Sequence, residues 1–174
     1  MRKLIFIAAA AMLMAAIAGC GQSSPPPPPA GTGPVQIIRT PTPVPANDEE
    51  AIRQLIVAEG EAVVQQDIDR LQGLWAPDGV VTDANHTPDN PSDDKTWKGW
   101  AAIRDRYVNI VFPSNPAFAE HPNIRVTITG DTATAISDTK IGITNLKDND
   151  KWTFRKIDGQ WKMTSLTFSL APQQ

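Results

Sequence analysis

Apolar and polar positions change rhythm several times along this chain. From Leu4 to Ala18 the run is unbroken and apolar. That length suits the core of a leader peptide and is short for a bilayer span, which needs roughly 20 apolar residues. From Gly21 to Pro45 there is no period at all. Then Ile52, Leu55, Ile56, Ala62 and Val63 recur at helical spacing. Asn47, with Glu50 three residues on, reads as a capping box at the start of this helix. Asp48 and Glu49 suit its positive end. Asp67 can cap a second, shorter helix carrying Leu71, Leu74 and Trp75. Pro77-Asp78-Gly79 reads as a turn, Val80-Val81 as a short strand, and Ala84 to Thr96 as a polar loop. Trp100, Ile103, Tyr107, Ile110 and Val111 predict a third helix ending before Pro113.

After that the period becomes two. Ile124, Val126 and Ile128 alternate with Arg125, Thr127 and Thr129, and Gly130-Asp131 makes a hairpin turn. Ala133 to Thr144 is predicted as one long strand, with Gly142 marking a bulge or bend. Lys151 to Ile157 is the next, turned by Asp158-Gly159 into Gln160 to Leu170. Three helices followed by a four-stranded antiparallel meander predict an α+β fold, with the helices packed on one sheet face.

Composition changes this picture at the front of the chain. Nine of the sixteen prolines lie between Gly21 and Pro45. Such a segment lacks donors and extends as polyproline II. At ~3.1 Å per residue its reach approaches about 75 Å, enough for a spacer. A proline-rich ligand is the rival reading, but no aromatic specificity residue flanks the prolines and Arg39 is the one basic residue among them. Charge restricts the partners. All nineteen Asp and Glu lie after Ala46, against thirteen of the sixteen Lys and Arg, a balance of −6. That is a poor surface for gripping nucleic acid by charge. Cys20 is the only cysteine, so no internal disulfide can form.

The leader ends in Ile17-Ala18-Gly19-Cys20, which resembles the lipobox of bacterial lipoproteins. The resemblance implies that Cys20 is lipidated and becomes the mature N-terminus. Acyl chains contribute about 0.8 kcal/mol per buried CH₂, so a multiply acylated Cys20 anchors stably. The expected organisation is a leader over 1–19, a lipidated tether over 20–45 and one domain over 46–171. The expected location is the extracytoplasmic side of a bacterial membrane.

Three further motifs occur in order: Asp67-Ile68-Asp69-Arg70-Leu71 leading to Leu74-Trp75-Ala76-Pro77-Asp78-Gly79-Val80; Trp97-Lys98-Gly99-Trp100-Ala101-Ala102-Ile103-Arg104; and Phe154-Arg155-Lys156-Ile157-Asp158-Gly159-Gln160-Trp161-Lys162-Met163. Together they resemble the SnoaL-like group of the nuclear-transport-factor-2-like superfamily, over about Asn47 to Leu170. The resemblance implies a cone: a strongly bent antiparallel sheet, one short strand plus the meander, wrapped around a long helix and enclosing a pocket. Its members include isomerases, cyclases, dehydratases, dimerising modules and proteins that only bind, so fold alone selects no function.

Candidate chemistry falls on a few residues. Asp83 ends the short strand, where the resemblance places a pocket mouth. A partly buried carboxylate there could act as a base next to a carbonyl, or simply cap the following turn. His86 could pair with Asp83 or join a metal site with Asp89, Asp93 or Asp94. The loop does not fit a calcium-binding pattern, since Pro88 stands where glycine is required, and no metal or cofactor is expected. His121, between Glu120 and Pro122, reads as a loop residue. Glu59 lies on or beside the buried stripe of the first helix, as a pocket acid or as one half of an ion pair. Tyr107, the only tyrosine, can donate its hydroxyl into a pocket or pack as core. Trp75 joins Glu59, Asp83 and Tyr107 as a pocket candidate. Nucleophile elbows, phosphate-binding glycine loops and paired cysteines are all missing from the sequence.

Three functions follow. The leading one is a membrane-tethered domain that binds a small apolar ligand or a protein partner. The second is a cofactor-free proton-transfer enzyme with Asp83 as base and His86 or Tyr107 as acid. The third is a structural homodimer module, suggested by family habit.

Overall fold

The computed structural model describes residues Val44–Pro172. The expected leader, Cys20 and most of the expected tether lie outside the described residues. Among the described residues no helix is long and apolar enough to cross a membrane.

The first helix, α1, spans Asp48–Gln65. Its start follows the sequence: the Asn47 side chain accepts the Glu50 N–H at 2.9 Å, and three acids occupy the first turn. It stops where Gln66 turns left-handed, with φ at 54°. Helix α2, Ile68–Leu74, is capped by Asp67, whose carboxylate accepts the Arg70 N–H. The third helix is shorter than the periodicity predicts. Regular α3 covers Gly99–Arg106, and Tyr107–Val111 widens into a π-turn closed by the Phe112 N–H on Tyr107 O. Pro113 sits in the turn that follows, Phe112–Ser114. Proline has no N–H to give and its ring crowds the carbonyl four residues back, so the last turn must open.

The strands are β1 (Trp75–Asp83), β2 (Lys95–Lys98), β3 (Ala119–Glu120), β4 (Arg125–Thr129), β5 (Thr132–Ile141), β6 (Thr144–Ile157) and β7 (Gln160–Phe168). They form one sheet in the order β2-β1-β7-β6-β5, with β3 and β4 each pairing with β5. The sheet is mixed, because β1 runs parallel to β7 while every other pair is antiparallel. The sequence reading expected an antiparallel sheet, so the parallel β1–β7 pair corrects it, as does the short extra strand β3, and further details differ. The turn expected at Pro77-Asp78-Gly79 is a register shift inside β1. The end of the polar loop is strand β2, where only Trp97 is half-buried, too little to show as a period. The long strand expected to Thr144 breaks at Gly142, with φ at 56°, and β6 begins at once.

Small residues face large ones across the centre of the sheet. Ala133 and Ala135 of β5 lie opposite Phe154 and Trp152 of β6. All four are buried, and the small partners make room for the indole. Ile52, Ile56, Leu71, Ile103 and Met163 are fully buried around them. Each such aliphatic side chain contributes about 1.5–3 kcal/mol by burial. Helix α1 crosses this surface closely because Gly60 meets the backbone of Ala119: a Cβ there would lie 2.1 Å from the Ala119 carbonyl oxygen. That approach brings His121, two residues on, against Glu59.

Candidate functional site

Glu59, Tyr107 and Trp75 converge in the interior. Glu59 comes from α1, Tyr107 opens the π-turn after α3, and Trp75 begins β1. The Tyr107 hydroxyl donates to Glu59 Oε1 at 2.7 Å and accepts from Trp75 Nε1 at 3.2 Å. Two residues not singled out for the site complete the chain. His121 Nε2 lies 3.4 Å from Glu59 Oε2, an ion-pair approach without hydrogen-bond geometry. On its other nitrogen, His121 Nδ1 meets Asp150 Oδ2 at 2.8 Å. Asp150 also accepts from the Thr139 hydroxyl, which itself accepts from Asn149 Nδ2 at 2.9 Å. The Trp152 ring stands edge-on to the imidazole, 5.0 Å between centroids.

Electrostatics fix the charges in this chain. Glu59 is 4 % exposed and Asp150 1 %. Burial alone drives an imidazole towards its neutral form, yet the Asp150 and Glu59 carboxylates outweigh it and raise His121 to about 9. Burial likewise works to raise Glu59, but His121, the Tyr107 hydroxyl and the more distant Arg106 charge outweigh it and leave the carboxyl below its usual value. Tyr107 moves well up, by burial first and by the Glu59 charge beside it. At neutral pH His121 is therefore an imidazolium facing the Glu59 carboxylate, with Tyr107 a neutral phenol beside it.

The other sequence candidates lie elsewhere. Asp83, at the end of β1, uses Oδ1 to accept the Asn85 N–H at 3.0 Å. His86 follows with φ at 61°, its Nδ1 2.5 Å from the Ala171 carbonyl. Asp93 serves the loop, accepting from Thr87 and Asn90. Neither Asp83 nor His86 hydrogen-bonds to Tyr107. The two carboxylates beside His121 meet opposite ring nitrogens, and among the described residues no group of three or more His, Cys, Asp or Glu could hold a metal ion. His121 gave a weak signal, as a histidine just before a strand. Asp150 gave none, lying 91 positions from Glu59 in a polar stretch.

The family model for the SnoaL-like domain matches residues 45–167. The chain belongs to the SnoaL-like family. The SnoaL-like domain is similar to an NTF2-like protein with a cystatin-like fold from Novosphingobium aromaticivorans, at 25 % identity and a TM-score of 0.56, over 69 % of this chain and 79 % of that one. It is also similar to an NTF2-like protein of Pseudomonas putida, at 23 % identity and a TM-score of 0.54, over 69 % and 84 % of the two chains. A Nostoc punctiforme protein with a cystatin-like fold shares 17 % identity and a TM-score of 0.56, over 73 % and 93 %. No curated protein sequence matches the chain. These likenesses confirm the α+β, NTF2-like architecture.

A groove of about 480 Å³ opens on the SnoaL-like domain between α1, α2 and the β6–β7 turn, with Ala58 on its α1 wall. Ala51, Leu55, Leu74 and Trp161 supply apolar walls, and Gln54 and Arg70 stand among its polar groups. Trp161 is held in place by Asp48, which accepts its Nε1–H at 2.9 Å and the Lys156 ammonium at 2.9 Å. These two hydrogen bonds hold the Asp48 carboxyl below its usual value.

Proposed function

We propose that this protein is a lipid-anchored extracytoplasmic binding domain that holds a small apolar molecule in the groove between α1, α2 and the β6–β7 turn. The observation that carries the reading is the closure of the interior acid–base chain. An efficient general acid or base titrates near the working pH. His121, Glu59 and Tyr107 are all displaced from neutrality, and each is engaged by a neighbour. The groove, by contrast, has apolar walls and a few polar groups, as small-molecule sites do. The anchor rests on the lipobox ending at Cys20 and the proline-rich spacer that follows.

Two experiments test this. Cys20→Ser is expected to leave the protein unlipidated and release it from the membrane fraction; unchanged fractionation with lipid sinks the anchor. For the groove, the full chain is purified in detergent from its own host, and native mass spectrometry measures retained small molecules. The wild type is expected to carry an apolar molecule that Ala58→Arg excludes. Arginine is a good helix former, so this change fills the groove without breaking α1. An empty wild-type protein, or equal retention by the variant, overturns the groove. Loss with Glu59→Gln but not with Ala58→Arg moves the ligand to the interior.

A further inference from the structure

A second polar feature lies at the other end of β7, beside Phe168, seven residues on from Trp161 of the groove. Arg106 ends α3 and points its guanidinium among three rings. Its Cζ is 4.6 Å from the centroid of Phe168, 5.2 Å from Trp97 and 5.7 Å from Tyr107. Such cation–π contacts suit the planar, weakly hydrated guanidinium better than an ammonium. Yet its Nε is buried with no hydrogen-bond partner, and Arg106 enters no ion pair among the described residues. The candidate counter-ions are engaged elsewhere. Glu59 reaches it only through space and is bonded to Tyr107 and paired with His121. Asp83, on the strand between β2 and β7, is turned to its own loop.

We propose that Arg106 is an anion-recognition residue that takes the carboxylate of a flat or apolar organic acid, with Trp97 and Phe168 contacting its body. A guanidinium with an unused Nε–H is built for a planar two-oxygen acceptor. Partly desolvated by rings, it is short of a partner that the protein itself does not supply. Lys95, whose ammonium lies 5.1 Å from the Trp97 ring, adds positive potential to the same spot. This site is independent of the groove and stands or falls separately.

The test uses the full lipoprotein in detergent, titrated calorimetrically with sodium 1-naphthoate and with 1-naphthylmethanol as its neutral counterpart. Hydrogen bonds to a charged group are worth about 1.5–3 kcal/mol, roughly ten- to a hundredfold in affinity. Saturable naphthoate binding is expected, weakened by about that factor in Arg106→Gln and for the alcohol, and only partly restored in Arg106→Lys. Ala58→Arg should leave it unchanged. Absent saturation in the wild type, equal affinity for acid and alcohol, or loss with Lys95→Gln while Arg106→Gln binds normally overturns the proposal. Should Arg106→Gln fail to fold, the acid-against-alcohol ratio in the wild type, together with Arg106→Lys, still decides it.

Discussion

Gly60→Ala is expected to destabilise the domain by about 2 kcal/mol or more, although alanine is the better helix former. In an exposed helix the exchange gains roughly 1 kcal/mol. At this position the added methyl would sit 2.1 Å from the Ala119 carbonyl oxygen and 3.1 Å from its carbon. Both obstacles are backbone, so no side-chain rotation relieves them. Helix α1 and strand β3 must move apart, and forcing an extra methyl into a packed contact typically costs 1–3 kcal/mol, occasionally more. The displacement also draws His121 away from Glu59, since His121 follows β3 directly. Urea unfolding of wild type and variant measures the loss. A variant as stable as wild type, or more so, would mean that propensity wins and that the helix–strand contact yields easily. Gly73 is the internal comparison: an added Cβ there meets nothing within 4 Å, so Gly73→Ala should be neutral or stabilising.

The contrast between those two glycines shows what was legible in the sequence. Local signals worked. The Asn47 cap, the apolar stripe of α1 and the Gly130-Asp131 turn each depend on neighbours within a few residues, and each is present in the fold; the alternation holds for Ile124 and Val126 but ends at Ile128, which is exposed. Strand β2 was hidden because its residues are mostly exposed and its pairing with β1 is set by the loop joining them. The parallel contact of β1 with β7 joins residues some eighty positions apart, and no periodicity encodes that. The candidate site divides the same way. Glu59 and Tyr107 drew attention because a charge and a hydroxyl interrupted helical apolar stripes. Their meeting at 2.7 Å was invisible, because it depends on how α1 and α3 lie on the sheet. Asp150 looked like surface: it stands in the run Lys147-Asp148-Asn149-Asp150-Lys151. It is buried because the strand pairing places it opposite Ser137, on the face that also carries Trp152 and Phe154.

Removing His121 should have the second large effect, and its pH dependence identifies the cause. In His121→Gln the buried Glu59 and Asp150 carboxylates lose the cation between them. Breaking a buried pair from one side costs about 3–5 kcal/mol, because a charge remains without compensation. Glutamine keeps the size and polarity, so a large loss reports charge and not a cavity. In the wild type the sign follows from the imidazole. Its value in the folded protein is about 9, above the 6.5 of a free side chain. The folded state therefore holds this proton more tightly. The stabilisation is fully present below about pH 6.5 and is lost as pH rises through about 9. A shift of this size corresponds to roughly 3 kcal/mol. Tyr107 moves well above its ordinary value, so it does not contribute in that window. Glu59, held below its usual value, acts at the other end: its contribution is present above its unfolded value and is lost as pH falls through the folded one. Wild-type unfolding free energy, measured in urea at pH 6.5 and 9.5, should fall by roughly 3 kcal/mol. His121→Gln should be weaker at pH 6.5 and nearly flat between the two. Its remaining carboxylates should make it gain stability on mild acidification, as one of them takes up a proton. A wild-type profile that is flat to pH 9.5 would mean that the imidazole is neutral in the fold. His121 would then be a neutral imidazole hydrogen-bonded to Asp150 alone, and the interior would again hold a group able to exchange protons near neutrality.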